Sequence, residues 1–271
     1  MKLEILLSCM NQPDESLIHR SRITSDVLVV NQCGREGERT VSNERGRIRW
    51  IDSETRGLTV SRNLALEASD GDVCLLCDDD EIFCPDYEET VLEAYRQLPQ
   101  ADVIIFKMVN RPASFPDRVM EIRFPNTFRV SSWQISFRRE RLLENGIRFD
   151  ELLGAGTGNG AEEELKFLTD CRRKGLKIYY VPQEIASVAQ EESTWFRGFD
   201  EIFFYNRGAT TRYILGLPLA AAYGVYYIVR KKNLYSDTLS PAAALRALGR
   251  GMKDNKITKQ AAARKSGQSG K

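Results

Sequence analysis

Residues 73–81 read Val-Cys-Leu-Leu-Cys-Asp-Asp-Asp-Glu, a short apolar run that ends in four consecutive acids. The apolar part predicts a buried strand, and open α/β sheets bind their ligands at the carboxyl ends of such strands. Four adjacent carboxylates repel one another unless a cation lies close by, and Mg²⁺ and Mn²⁺ prefer oxygen ligands and often bridge nucleotide phosphates. The stretch therefore predicts a metal and nucleotide site. The alternative is a solvated acidic turn that only ends the strand.

Within the acid cluster, extended geometry predicts that the four side chains lie on two opposite sides of the strand. Side chains two residues apart on a strand point the same way, so Asp78 and Asp80 are expected on one side and Asp79 and Glu81 on the other. Two carboxylates on one side can serve one ribose hydroxyl and one metal ion.

Around this stretch, strands and helices alternate through the first 110 residues. Strands are predicted at 2–8, 26–31, 48–51, 73–77 and 103–109, and helices at 58–68 and 85–98. This alternation is typical of a doubly wound, mostly parallel, Rossmann-like α/β sheet. Residues 111–149 predict shorter antiparallel strands, and a helix at 161–173 and a strand at 177–181 come next. Arg62 lies on the helix at 58–68, where its guanidinium is a candidate for binding a diphosphate, although an arginine on a helix is more often solvated.

A second candidate site begins with four glycines in seven residues, at 154–160. Gly156, Gly158 and Gly160 predict a loop that moves and lets its backbone approach a ligand closely. We interpret this segment as an acceptor loop.

Three acids, Glu162, Glu163 and Glu164, directly precede the apolar face of the next helix. That face is predicted to carry Leu165, Phe167, Leu168 and Cys171. Glu164 falls within the same arc, Glu163 at its margin, and Glu162 points away. A carboxylate on the apolar side has reason to carry a raised pKa and to act as a general base, which favours Glu164 and then Glu163. The alternative is simple N-terminal capping, because the helix dipole favours acids there.

The charge of the chain is divided unevenly although its net value is +1. Residues 230–271 hold 11 Lys or Arg and 2 Asp or Glu, whereas the remainder holds 28 and 36. Just before the basic part, the 17 residues Tyr213–Val229 carry no charge and are interrupted by glycine and proline. Tyrosines and a basic flank suit a helical segment that lies on an anionic membrane surface. The alternative is a buried core helix.

Composition excludes several site types. His19 is the single histidine, which excludes a histidine-rich metal site and disfavours mechanisms that need a catalytic histidine. Cys74 and Cys77 are predicted to point to opposite faces of one strand, which does not suit a zinc site. The six cysteines lack the density of a disulfide scaffold, and reduced thiols in a cytoplasmic protein are expected.

Two blocks of this sequence resemble glycosyltransferase family 2 of the bacterial polysaccharide-assembly type. The first block runs from Leu58 to Glu81 and includes Ser61-Arg62-Asn63-Leu64. Its four acids occupy the position of the DxD motif of that family. The second covers 154–182, and Ser193-Thr194-Trp195 is similar to the segment that comes after this block in these members. The resemblance covers about residues 1–210. It implies the GT-A fold, a nucleotide-sugar donor, a Mn²⁺ or Mg²⁺ ion and inversion at the anomeric carbon.

Carried over residue by residue, the resemblance implies roles for the acids. Asp78 would contact the ribose or sugar of the donor, with Asp79 beside it, and Asp80 would bind the metal. Counting back from Gly175 places the Glu-Asp pair of the family on Glu163-Glu164, so Glu164 would be the base.

Three departures from the family pattern stand out. Asn31 ends the second strand, at the position where an aspartate usually contacts the nucleobase of the donor, so Asn31 becomes the candidate nucleotide contact. The residue predicted as the catalytic general base is glutamate instead of the commoner aspartate. No histidine occurs after the last strand in 187–190, where many members have a metal ligand.

The resemblance therefore implies an inverting, metal-dependent hexosyltransferase of cell-surface polysaccharide synthesis, such as capsule or exopolysaccharide. Its acceptor would be a lipid-linked or oligosaccharide glycan, and its place the cytoplasm, peripheral to the inner face of the cell membrane. No nucleic-acid partner is expected, and an oligomer is compatible with the sequence. The alternatives are a sugar nucleotidyltransferase and a degenerate, non-catalytic partner subunit. The expected divisions are a GT-A domain at 1–210 (nucleotide half 1–110, acceptor half 111–210), a helical basic extension at 211–260, and a disordered tail at 261–271.

Overall fold

The computed structural model describes residues 1–43, 46–159, 162–189 and 198–268. Its strands are β1 Leu3–Met10, β2 Asp26–Gln32, β3 Gly37–Asn43, β4 Gly46–Ser53, β5 Val73–Asp78, β6 Glu81–Phe83, β7 Val103–Met108, β8 Met120–Glu121, β9 Ile135–Arg138 and β10 Ile178–Val188. Its helices are α1 Ser16–Arg20, α2 Leu58–Ala68, α3 Tyr87–Gln97, α4 Arg139–Glu144, α5 Glu163–Arg173, α6 Glu201–Leu215, α7 Leu217–Arg230, α8 Pro241–Asp254 and α9 Lys256–Gln268.

One mixed sheet organises the first part of the chain, in the order β3-β4-β2-β1-β5-β9-β7-β10-β6 with β8 beside β10. The strands β4, β2, β1 and β5 run parallel, so the ends of β1, β2 and β5 meet at one edge. Strand β9 runs antiparallel between β5 and β7, in agreement with the antiparallel strands predicted for residues 111–149. This confirms the α/β class and the mostly parallel first half.

Two apolar clusters cover the opposite faces of the sheet. Cys77 belongs to one and Cys74 to the other, as strand alternation predicts. Burying β-branched and aromatic side chains on both faces is what fixes the register of central strands.

The extent of several elements differs from the prediction. Strand β3, which pairs antiparallel with β4, was not predicted, because it is an edge strand with a mostly polar sequence. Strand β10 continues to Val188, well past the predicted end at 181, through irregular register near Glu184.

Contacts divide the chain into two compact units. The sheet unit comprises Met1–Asp150 and Glu163–Glu191, and the helical unit comprises Glu151–Glu162 and Glu192–Lys271. The boundaries at 110, 210 and 260 remain predictions.

The helical unit has its own apolar core, which includes Phe204, Tyr227, Tyr235 and Leu248. Gly216, with φ near +78°, separates α6 from α7, so Tyr213–Val229 is not one continuous segment. Among the helices of the described residues, none is long and apolar enough to cross a bilayer. Helix α9 extends to Gln268 through alanine-rich sequence that favours a helix, and the disorder predicted for 261–271 remains a prediction.

Candidate active site

The four acids form a tight turn, and this corrects the predicted extended geometry. Strand β5 ends at Asp78, Asp79 and Asp80 form the turn, and β6 begins at Glu81. The backbone N–H of Asp78 donates to Glu81 Oε1 at 2.8 Å and closes the turn. Alternation of side chains requires a continuous strand, so the predicted pairing of Asp78 with Asp80 on one face does not apply.

The residue that follows β10 also contacts this turn. The backbone N–H of Ala189 donates to the carbonyl oxygen of Asp80 at 2.7 Å. Ala189 belongs to the segment in which many members of the resembled family place a histidine. Gln190, Ser193, Thr194 and Trp195 lie outside the described residues.

Asp78 accepts hydrogen bonds from two buried side chains. Arg62 Nη2 lies 2.9 Å from its Oδ1, and Ser132 Oγ donates to its Oδ2 at 3.2 Å. The guanidinium also lies 3.6 Å from Glu163 Oε1 and 5.6 Å from the Phe149 ring centre. The Arg62 side chain is only 1% exposed, which contradicts a solvated helix arginine. Arg62 thus joins the acid turn to the start of α5.

Negative charge is in excess at the turn. Burial raises the pKa of Glu81 well above its usual range, and the charge of Asp78 adds to the rise. Burial also raises the pKa of Asp80, Asp78 adds to it, and Arg111 acts in the opposite direction. The second oxygen of Glu81 is buried and accepts no hydrogen bond among the described residues. A bound cation would relieve this repulsion.

The structure reverses the expected burial of the two candidate base residues. Glu163 is buried and Glu164 is half-buried. Helical phase places Glu164 toward the apolar face, but it lies in the first turn of α5, where Arg62 covers Glu163 instead. Glu162 precedes the helix with φ near +72° and pairs with Arg207 of the helical unit at 3.0 Å. The burial that favoured Glu164 as base is therefore found at Glu163, and the choice of base between the two remains a prediction.

Asn31 is held by its neighbours at the end of β2. Its side chain donates to Asp52 Oδ1 at 2.8 Å and to the Gln12 carbonyl at 3.0 Å, and accepts from the Gln12 N–H. Asp52 is its direct neighbour in the parallel pair of β2 and β4. A carboxylate is therefore present at this edge of the sheet, one strand away from the position where the resembled family usually has it.

The glycine loop belongs to the helical unit. Gly156 and Gly158 adopt positive φ values of 87° and 76°, which glycine favours. The loop closes on itself through the N–H of Gly154 and the carbonyl of Asn159, 3.3 Å apart. Gly160 lies outside the described residues.

Three features of the site were not predicted from the sequence: Ser132, Glu81 as a turn-closing acceptor, and Asn63. The Asn63 side chain exchanges two hydrogen bonds with the backbone of Phe149, at 2.9 and 2.8 Å. Asn63 could have been predicted as a site residue from its position next to Arg62 in the sequence. Ser132 gave none, because it lies 54 positions from the carboxylate it contacts.

Comparison with known proteins places these features in a family context. The sequence profile described as Glycosyl transferase family 2 matches residues 4–153. An uncharacterized glycosyltransferase from Haemophilus influenzae is 29% identical over 121 residues, which are 43% of this chain and 41% of that protein. The match therefore spans about two fifths of that relative's length.

Two groups of solved structures share the fold. S. aureus TarS 1–349 in complex with UDP-GlcNAc has a TM-score of 0.63 at 17% identity, covering 98% of this chain and 92% of TarS 1–349. The mannosyltransferase PcManGT from Pyrobaculum calidifontis, in complex with GDP-Man and Mn²⁺, has a TM-score of 0.50 at 13% identity, covering 99% of this chain and 79% of PcManGT. The expected GT-A fold is confirmed.

Proposed function

Because the chain belongs to glycosyl transferase family 2, we propose that it transfers a sugar from a nucleotide-sugar donor to a glycan acceptor with inversion. That the protein is a glycosyltransferase follows from the family and its relatives. The acceptor we propose is a lipid-linked or oligosaccharide glycan of cell-surface polysaccharide synthesis. One observation carries the proposal: Arg62 is buried between Asp78 of the acid turn and Glu163 at the start of α5, which joins the donor and base regions.

The chemistry assigned to the chain is a single displacement. Glu164 takes the proton of an acceptor hydroxyl, which attacks the anomeric carbon as the nucleoside diphosphate departs. Glu163 stays paired with Arg62 and keeps Asp78 oriented for the donor. Asp79, the next and exposed residue of the turn, is a further donor contact in this proposal. The buried pair of Asn31 and Asp52 would support the edge of the sheet at which the nucleotide binds.

The residues at the turn fit a divalent cation with few protein ligands. Among the described residues, no three His, Cys, Asp or Glu side chains converge into a full ligand set. A Mn²⁺ or Mg²⁺ ion held by Asp80 would complete its coordination with donor phosphates and water, as Mg²⁺ commonly does. When bound, such an ion neutralises charge on the leaving diphosphate. The excess of negative charge at the turn supports this assignment.

The test measures donor cleavage with UDP-GlcNAc and GDP-mannose in the presence of Mn²⁺. We expect release of a nucleoside diphosphate and an inverted sugar anomer, read by NMR. Glu164→Gln should lower the rate by about 10²-fold or more while leaving donor binding intact. Asp80→Asn should weaken Mn²⁺-dependent donor binding, whereas Asp86→Asn, an exposed acid nearby, is the control.

Other outcomes decide against the proposal. Full activity of Glu164→Gln would remove its role as base. Pyrophosphate release from a nucleoside triphosphate would indicate a nucleotidyltransferase. Absence of binding to any nucleotide-sugar would indicate a non-catalytic partner subunit.

We also propose that the helical unit associates with an anionic membrane surface. Helix α7 buries Gly224 and Tyr227 but exposes Val225, Tyr226 and Val229, each more than half exposed. The basic residues 230–232 come directly after them. An apolar stripe beside a basic cluster is typical of a helix that lies in the membrane interface.

A further inference from the structure

A cavity of about 180 Å³ opens in the sheet unit beside the end of β7. Lys107 and Arg111 line it, and among the described residues none of its lining side chains is acidic. The chain outside the basic tail carries more acids than bases. Lys107 Nζ also pairs with Glu184 Oε1 at 2.8 Å, so the excess positive charge of the lining comes from Arg111. A lining with a net positive charge in such a body favours an anionic ligand.

This cavity shares one wall with the candidate active site. The short turn Ser132–Gln134 forms that wall, and Ser132 donates to Asp78. Gln134 fixes the turn, because its amide donates to the Phe106 carbonyl at 2.8 Å and accepts from the Ser131 N–H at 3.1 Å. A ligand in the cavity would therefore lie next to the acid turn.

The remaining lining residues offer an aromatic face and an unused hydroxyl. Trp133 is half-buried, and the Arg111 guanidinium lies 5.8 Å from its ring centre. Tyr180 is 1% exposed, and its hydroxyl has no hydrogen-bond partner among the described residues. A buried polar group without a partner is costly, so a ligand that supplies one gains affinity.

We propose that this cavity binds one sugar unit of the glycan substrate that carries a carboxylate or a phosphate. Arg111 would bind the anionic group, Trp133 would pack against the ring, and Tyr180 would donate to a ligand oxygen. The volume is below the roughly 300–1,000 Å³ of pockets for larger ligands, which suits a single ring. The proposal rests on the proposed transferase function, since it assigns part of the substrate of that site.

The test is a ligand-observed NMR titration of the full chain without nucleotide, using glucuronate, glucose 6-phosphate and uncharged glucose. We expect at least one anion to bind about tenfold or more tightly than glucose, and the tighter anion identifies the preferred group. Arg111→Gln should remove that preference. Tyr180→Phe keeps the ring and should weaken anion binding several-fold without loss of stability. Arg118→Gln, an exposed arginine in the same segment, is the matched control.

Equal binding of glucose and both anions would overturn the proposal. So would unchanged affinity in both Arg111→Gln and Tyr180→Phe, or an equal loss in Arg118→Gln. A parallel titration with UDP-GlcNAc, GDP-mannose and Mn²⁺ separates the two proposals. If the chain binds the donor but no anion, only the proposed role of the cavity is contradicted. If it binds an anion but neither binds nor cleaves the donor, only the proposed transferase function is contradicted.

Discussion

Arg62 has the most demanding environment of the site's side chains. Burying a guanidinium carries a desolvation penalty that only close carboxylates and well-placed hydrogen bonds offset. Asp78 lies 2.9 Å away, Glu163 lies 3.6 Å away, and the Phe149 ring covers one side. The arginine is therefore both a structural anchor and the group that orients Asp78.

Removing that cation should destabilise the fold. Arg62→Met leaves Asp78 and the buried Glu163 without this partner, and we expect a loss of about 3–5 kcal/mol in the free energy of unfolding. Arg56→Met removes an exposed arginine from the same segment and should change stability by about 0.5 kcal/mol or less. Urea unfolding of both variants measures the difference. A loss below about 1 kcal/mol in Arg62→Met would contradict the anchoring role.

The lowered pKa of Asp52 predicts how the free energy of unfolding depends on pH. Its burial opposes ionisation, but hydrogen bonds from Trp50, Asn31, Cys33 and Arg35 outweigh that and lower its pKa to about 2. The folded-state pKa lies below the unfolded value of about 3.9, so the stabilisation is complete above that pH and is lost as the pH falls toward 2.

Asp52→Asn should therefore be less stable than the original chain at pH 7. The gap should narrow between about pH 4 and pH 2, because protonation removes the same charge from the original chain. Denaturation curves at several pH values measure it, with Asp117→Asn as an exposed control. A gap that stays constant across this window would exclude Asp52 as its source.

At the scale of elements, two glycines determine how closely α6 and α8 pack. A Cβ at Gly251 would lie 1.9 Å from the Tyr205 carbonyl oxygen, and one at Gly208 would lie 2.1 Å from that of Leu248. These approaches leave no room for a methyl group, so the glycines are required by packing.

We expect opposite effects from two alanines on α8. Gly251→Ala should destabilise the helical unit by about 1–3 kcal/mol, because a helix must shift. Gly249→Ala meets nothing within 4 Å and should stabilise the unit by about 0.5–1 kcal/mol through helix propensity. Thermal unfolding followed by circular dichroism compares the two. Similar shifts in both variants would refute the close-packing explanation.

Elements bounded by local turn signals were predictable, and those fixed by distant partners were not. Helix α2 has the predicted bounds of 58–68. The acid turn was not foreseen, because its geometry depends on Glu81 and on the backbone of Ala189. The acids and Arg62 could be identified as site candidates from the sequence. The burial of Glu163 could not be predicted from helical phase, because it depends on where Arg62, on another helix, lies in the fold.

At the scale of the whole molecule, the separation of charge predicts salt-sensitive membrane binding. The full chain should co-sediment with vesicles that contain phosphatidylserine and bind less as salt rises, because the basic tail is attracted to the surface electrostatically. Replacing both Val225 and Val229 by Glu should lower binding about tenfold or more. Val119→Glu alters an exposed valine of the sheet unit and is the control. Equal binding in all chains would remove the role of α7.

The hydrogen bond between Ala189 and Asp80 also bears on how the molecule folds. Strand β6 begins three residues after β5 ends, yet its partner is the end of β10, and Glu81 pairs with Val188. Contacts at such long sequence separation form slowly, because a large loop must close first. Donor binding should therefore appear late in refolding. A fragment of residues 1–110 would carry all four acids without the strand that shapes them.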